Sequence, residues 1–207
     1  MIAWSSEASR YRAADNLNVK INYIIFFLFL CLLRVADLYL TYRITPDLSM
    51  EWNPVVSYFG LSWAGFLAIQ LTLVLVATFA YSMFVNRKQL VVDKSGLGLS
   101  RFVYHYFHGE DLSWGQWSSN IFRFPQQRYI EAHRGFIGFT IVSGVIMVSV
   151  FAIIHNILVL NEHDNYLHFV TQAGYVYFAT MFIGMVVVSA HLFFMIEYNA
   201  YRRLSRE

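Results

Sequence analysis

INYIIFFLFLCLLRVADLYLTYR, residues 21–43, is a 23-residue run interrupted by only two charged residues before its terminal arginine. About 20 predominantly apolar residues are enough for a helix to cross the hydrocarbon core of a bilayer. Three more stretches of that kind follow at 59–85, 135–160 and 169–195. Together they predict an all-α membrane protein, a bundle of four transmembrane helices forming one integral membrane domain over 1–207. Composition agrees, since 57% of the chain is hydrophobic and 14% charged, against about 25% charged in soluble domains.

The links are a 15-residue segment (44–58), a 49-residue segment (86–134) and the octapeptide NEHDNYLH (161–168). Lys and Arg mark the cytoplasmic side of short loops. Arg10, Arg12 and Lys20 precede the first span, seven Lys and Arg lie within 86–134, and Arg202, Arg203 and Arg206 follow the fourth. The short links contain none, with Arg43 at the edge of the first. The expected orientation in a bacterial inner membrane therefore has both ends of this chain and the long link in the cytoplasm. The first 20 residues are polar and no small-residue cleavage pattern follows the first run, so that run is read as a retained helix.

A net charge of +2, dispersed at the ends of apolar runs, argues against a nucleic-acid partner. The lipid bilayer is the expected surrounding, with other membrane subunits or further copies of this chain as partners. The lone Cys31 precludes an intramolecular disulfide and a cysteine-based zinc site. The long link interleaves aromatics with Arg and His, the pattern of an amphipathic segment at the headgroup level on the cytoplasmic side. GLG at 96–98 lacks the setting of a dinucleotide loop and reads as a turn.

Charges inside apolar spans are costly and face the bundle interior or a partner. Arg34, Asp37 and Thr41 share one helix face through spacings of three and four. Arg34 and Asp37 can pair with each other, and Gln70 and His155 are further polar residues at membrane depth. By helical rise, Asp37 and His155 lie roughly 9 Å and 8 Å below the expected outer ends of their spans. Glu51 and Asn53 in the first outer link, with Glu162, His163, Asp164 and His168 in the second, place oxygen and imidazole donors above them.

Such donors suit zinc, iron or manganese, so a transition metal held by Asp37, Glu51, His155 and His168 is one candidate cofactor. An inner rival comprises His105, His108, Glu131, His133 and His191. Neither set has the spacing of a defined metal motif. Membrane di-iron hydroxylases and desaturases carry repeated H-x3-H and H-x-x-H-H boxes, whereas this chain has one H-x-x-H, HYFH at 105–108. Haem b would need two histidines at one depth, and His155 and His191 fall near opposite faces. Gly135, Gly138, Ser143 and Gly144 in the third span, with Gly174, Ala179, Gly184, Ser189 and Ala190 in the fourth, are small residues that let membrane helices approach closely. No discontinuous helix with a mid-span Gly or Pro break is expected.

The order ADLYLT (36–41), an outer turn and EWNP (51–54) resembles a family of small, functionally uncharacterised bacterial integral membrane proteins. They pair Asp-x3-Thr at the end of one helix with Glu-x-Asn-Pro at the start of the next. The matching positions are Asp37, Thr41, Glu51, Asn53 and Pro54, and the resemblance covers residues 34 to about 80. It implies a two-helix hairpin with a polar outer end and brings no activity with it. Independently, Pro suits the first turn of a helix and Asn before it can cap the free N–H groups.

Three functions fit this pattern. The leading expectation is a structural, sensing or regulatory subunit of a membrane assembly. The alternatives are a metal-binding or enzymatic protein with its site at the outer face, and an oligomeric small transporter or proton-coupled sensor using Arg34, Asp37, Gln70 and His155.

Overall fold

The structure, a computed structural model, describes residues 3–48, 54–87, 92, 96–109 and 129–204. Its elements are α1 (Ala3–Ile44), α2 (Pro54–Phe59), α3 (Trp63–Val85), α4 (Leu99–His108), α5 (Ile130–Leu160) and α6 (Asp164–Leu204), with no strand among the described residues. Four stretches are long and apolar enough to span a membrane: Ile21–Ile44, Trp63–Val85, Ile130–Leu160 and Val176–Arg203. At about 1.5 Å per residue, the shortest, 23 residues of α3, reaches roughly 34 Å.

The chain divides into two compact units, 1–78 with 149–172 and 79–148 with 173–207. In the first, Leu30, Arg34, Asp37 and Thr41 form the buried stripe of α1, while Ile24, Ile25, Leu28, Leu32, Val35 and Tyr39 are exposed. Phe66, Gln70, Val74 and Ala77 form the matching stripe of α3. α1 thus turns polar groups inward and aliphatic ones outward, the reverse of a soluble amphipathic helix, and α3 turns Gln70 inward within an otherwise apolar stripe.

The links around α2 are compact. Gly60 stands at φ 58°, and the Leu61 amide donates to the Val56 carbonyl at 3.1 Å. This 6→1 bond around a left-handed glycine ends α2 as a Schellman motif. The second apolar span therefore begins at Trp63 rather than at 59. Leu48, Val56 and Phe66 make a small core here with Leu38, Leu61 and Trp63 packed against it. The Trp63 indole donates to the Pro46 carbonyl at 2.6 Å and its ring meets Tyr42 edge-on at 5.7 Å, tying the start of α3 to the end of α1.

The turn between α5 and α6 is a second Schellman motif. The His163 amide donates to the Leu158 carbonyl (3.4 Å) and the Glu162 amide to Val159 (3.1 Å). Glu162 occupies the left-handed position with φ 50°.

α6 departs from expectation. Gly174 adopts φ 51°, ψ −140° inside it, a backbone region essentially closed to residues with a Cβ. The apolar stretch is Val176–Arg203 rather than 169–195, and the break at Gly174 lies just before it rather than in mid-span. Gly174 was read as a packing residue, yet a β-carbon there would have no neighbour within 4 Å. Its conformation is what requires glycine.

In the second unit the core is aromatic. Leu97, Phe102, Tyr106, Ala132, Phe193 and Tyr201 are buried, with Phe84, Phe107, Phe136, Phe139, Phe194 and Tyr198 packed against them. A β-carbon on Gly138 would lie 2.5 Å from the Ala80 carbonyl oxygen and 2.8 Å from the Phe84 amide nitrogen. Gly138 therefore lets α5 touch the backbone of α3. Within the long link, α4 buries Phe102 and Tyr106 against α6. Its aromatic face is thus spent on the chain itself.

Candidate functional site

The polar stripe of α1 meets two other helices. Arg34 Nη1 donates to Gln70 Oε1 on α3 at 3.0 Å, and Nη2 donates to the Ser149 hydroxyl on α5. The Arg34–Asp37 ion pair measures 3.6 Å. Asn156, also on α5, donates to Asp37 Oδ1 at 3.2 Å and to the Thr41 hydroxyl at 3.3 Å. Arg34, Asp37, Thr41, Gln70 and Ser149 are all buried.

Helical spacing explains the arrangement. Positions 34, 37 and 41 return to one face of α1, and 149 and 156, seven apart, return to one face of α5. Contacts advance in the same direction along both helices, from 34 with 149 to 41 with 156, so α1 and α5 run parallel here. The network holds one guanidinium and one carboxylate, each with amide or hydroxyl partners, while the Arg34 Nε is buried without a hydrogen-bond acceptor among the described residues. A buried pair is tolerated only when such extra hydrogen bonds are present.

Sequence reasoning reached Arg34, Asp37, Thr41 and Gln70 and missed Ser149 and Asn156. A signal was present, since a serine and an asparagine two turns apart in an apolar run are candidates for interhelical hydrogen bonds.

His155 is buried one residue before Asn156. Its Nδ1 lies 2.5 Å from the Tyr166 hydroxyl of α6, which fastens it to the α5–α6 connection. Asp37 takes its contact on α5 from Asn156, the residue next to His155. Of the proposed outer donors, Glu162, His163, Asp164 and His168 are exposed. Glu162 is the left-handed residue of the turn, and the His163 carbonyl accepts the first helical bond of α6 from Leu167 at 2.9 Å. Glu51 and Asn53 lie outside the described residues.

The inner candidates come together only in part. His108 and His133 have ring centroids 6.4 Å apart, and His133 Nδ1 is 2.9 Å from the Tyr129 carbonyl oxygen. Glu131 pairs with Arg134 at 3.6 Å, and His191 is exposed on α6. Among the described residues, no three His, Cys, Asp or Glu side chains are grouped so as to hold a metal ion.

A second, partly buried cluster was not foreseen. Arg87, two residues beyond α3, binds the Glu197 carboxylate of α6 and lies over the Phe84 ring at 4.1 Å. Tyr106 of α4 donates to the other carboxylate oxygen at 3.2 Å. Burial, with the Glu197 carboxylate beside it, pushes the Tyr106 phenol above its ordinary range. A β-carbon at Gly135 would collide with the Arg87 side chain, so that glycine makes room for the arginine. The available signal was Glu197 itself, a lone acid within LFFMIEYNAY (192–201).

No family model, curated protein or solved structure matches this chain. Its functional reading rests on this geometry.

Proposed function

We propose that the chain is an integral protein of the bacterial inner membrane, a four-helix bundle with both ends and the 86–134 link in the cytoplasm. It acts as a structural or regulatory subunit of a membrane assembly. The membrane part rests on the inversion of α1, where Leu32 is 67% exposed and Arg34 6% exposed. Aliphatic side chains facing outward along helices of this length find a matching solvent in lipid tails.

The subunit part rests on one observation: Arg34, Asp37, Thr41, Gln70, Ser149 and Asn156 bond to one another across α1, α3 and α5. Hydrogen bonds that link three helices fix helix register and rotation. They are a device for holding a shape that other chains can recognise.

Two experiments test this reading. A cysteine placed at Asp164 in a Cys31→Ser background is expected to react with an impermeant thiol reagent from outside intact cells. Reaction only after lysis would reverse the orientation. Gentle purification into nanodiscs, with mass spectrometry and elemental analysis of one peak, is expected to show other membrane chains at fixed stoichiometry. A lone chain carrying about one metal per copy would overturn it in favour of the outer-face metal reading.

A proton-coupled sensor is the second reading, favoured by a carboxylate, Asp37, inside an otherwise apolar helix. It predicts that Asp37→Asn abolishes a pH response while leaving assembly intact. The subunit reading predicts weakened assembly instead.

A further inference from the structure

The geometry points to an anionic-lipid contact surface on the second unit, formed by Arg101, Arg202 and Arg203. This rests on the membrane reading above and names the lipid class that the cytoplasmic end recognises. Among the described residues, the acids of this unit are Glu131 and Glu197, and each faces an arginine of the protein, Arg134 and Arg87 respectively. Glu197 is buried, and Glu131 is half-buried in its pair with Arg134. Arg101, Arg202 and Arg203 are exposed.

The aromatic core joins the two helix segments that carry these cations. Phe102, next to Arg101, packs its ring 5.1 Å from Tyr201 and 5.5 Å from Tyr198. Tyr201 precedes Arg202, whose guanidinium lies 6.0 Å over the Tyr198 ring. The Tyr201 hydroxyl accepts from the Leu97 amide at 2.9 Å, and the Tyr198 hydroxyl donates to the Leu97 carbonyl at 3.2 Å. The start of α4 is thus strapped to the last turns of α6, and Arg101 is carried on the same assembly as Arg202 and Arg203.

Because α4 buries Phe102 and Tyr106 on the protein, what it offers outward here is Ser100 and Arg101. The surface attracts by charge rather than by insertion. The exposed acids among the described residues, Asp47, Glu162 and Asp164, all belong to the other unit. Charge complementarity therefore selects phosphatidylglycerol-type headgroups over zwitterionic ones, and the positions at the end of α6 put the cations at headgroup level.

The test reconstitutes the full chain in phosphatidylcholine bilayers containing phosphatidylglycerol and compares spin-labelled versions of the two lipids at the protein boundary. Wild type is expected to favour phosphatidylglycerol. R101Q/R202Q/R203Q is expected to lose at least about fivefold of that preference, the weight of one surface arginine, with an unchanged melting temperature. R43Q, at an exposed arginine of the other unit, is expected to keep it, and 0.5 M NaCl to reduce it. Equal association of the two lipids with wild type, or a preference that survives the triple substitution, overturns the proposal. Binding of an acidic peptide through these arginines without any lipid preference overturns it in favour of a protein partner. Flotation with pure phosphatidylcholine vesicles after an alkaline carbonate wash separates the two levels. A chain that floats yet shows no preference defeats only the lipid surface, and one that washes off every vesicle defeats the membrane reading as well.

Discussion

Arg34 and Asp37 stand 3.6 Å apart on one face of α1, yet the Arg34 guanidinium also donates hydrogen bonds to Gln70 of α3 and Ser149 of α5. The ion pair is therefore one edge of a network across three helices. Removing one member strands the other, whereas removing both leaves neutral neighbours that can re-pair.

Arg34→Leu alone is expected to cost about 3–5 kcal/mol, because it leaves a buried carboxylate without its countercharge. Arg34→Leu/Asp37→Leu should recover most of that loss. Unfolding of the purified protein in mixed micelles measures both, and a double variant as unstable as the single would show that the pair itself supplies the stability.

The glycines of α5 should separate sharply. Gly138→Ala drives a methyl group into the backbone of α3 and is expected to cost about 1–3 kcal/mol. Gly144→Ala has open space around it and should stay within about 0.5 kcal/mol of wild type. Melting temperatures of the two variants in one detergent decide the matter, and equal shifts would contradict the packing described here.

Two positions of left-handed backbone call for opposite changes. Glu162→Gly relieves roughly 1–2 kcal/mol of steric cost against roughly 0.5–1 kcal/mol of chain entropy, so a small net stabilisation is expected. Gly174→Ala should destabilise by about 1–3 kcal/mol through strain. Reversal of either sign, read from thermal unfolding, would show that the turn or the helix break relaxes to another conformation.

The raised ionisation range of Tyr106 has a signed consequence. Above about pH 10 the unfolded chain releases the phenolic proton while the folded protein retains it, so folded stability should fall as pH rises. Tyr106→Phe should remove that part of the fall. The difference in 295 nm absorbance between wild type and Tyr106→Phe should show a step displaced above the ordinary tyrosine range, and a step at the ordinary position would contradict the burial of this hydroxyl.

Much of the architecture was readable because its causes are local. An unbroken apolar run is a property of neighbouring residues, so the four long helices and the inward face of Arg34, Asp37 and Thr41 follow from spacing alone. Glycine is less transparent, since it serves both close packing, as at Gly138, and special dihedrals, as at Gly174. Composition does not distinguish the two uses.

By itself, then, the sequence determined the helical class, the four apolar stretches and which side of α1 is polar, since each depends on hydropathy and helical period over a few turns. Only the tertiary structure decided that Ser149 and Asn156 answer the polar face of α1, and that Arg87 meets Glu197 from 110 positions away. Helical period says which residues share a face. Which face meets which neighbour depends on rotation and register between helices, set by the sum of many packing contacts rather than by any single segment.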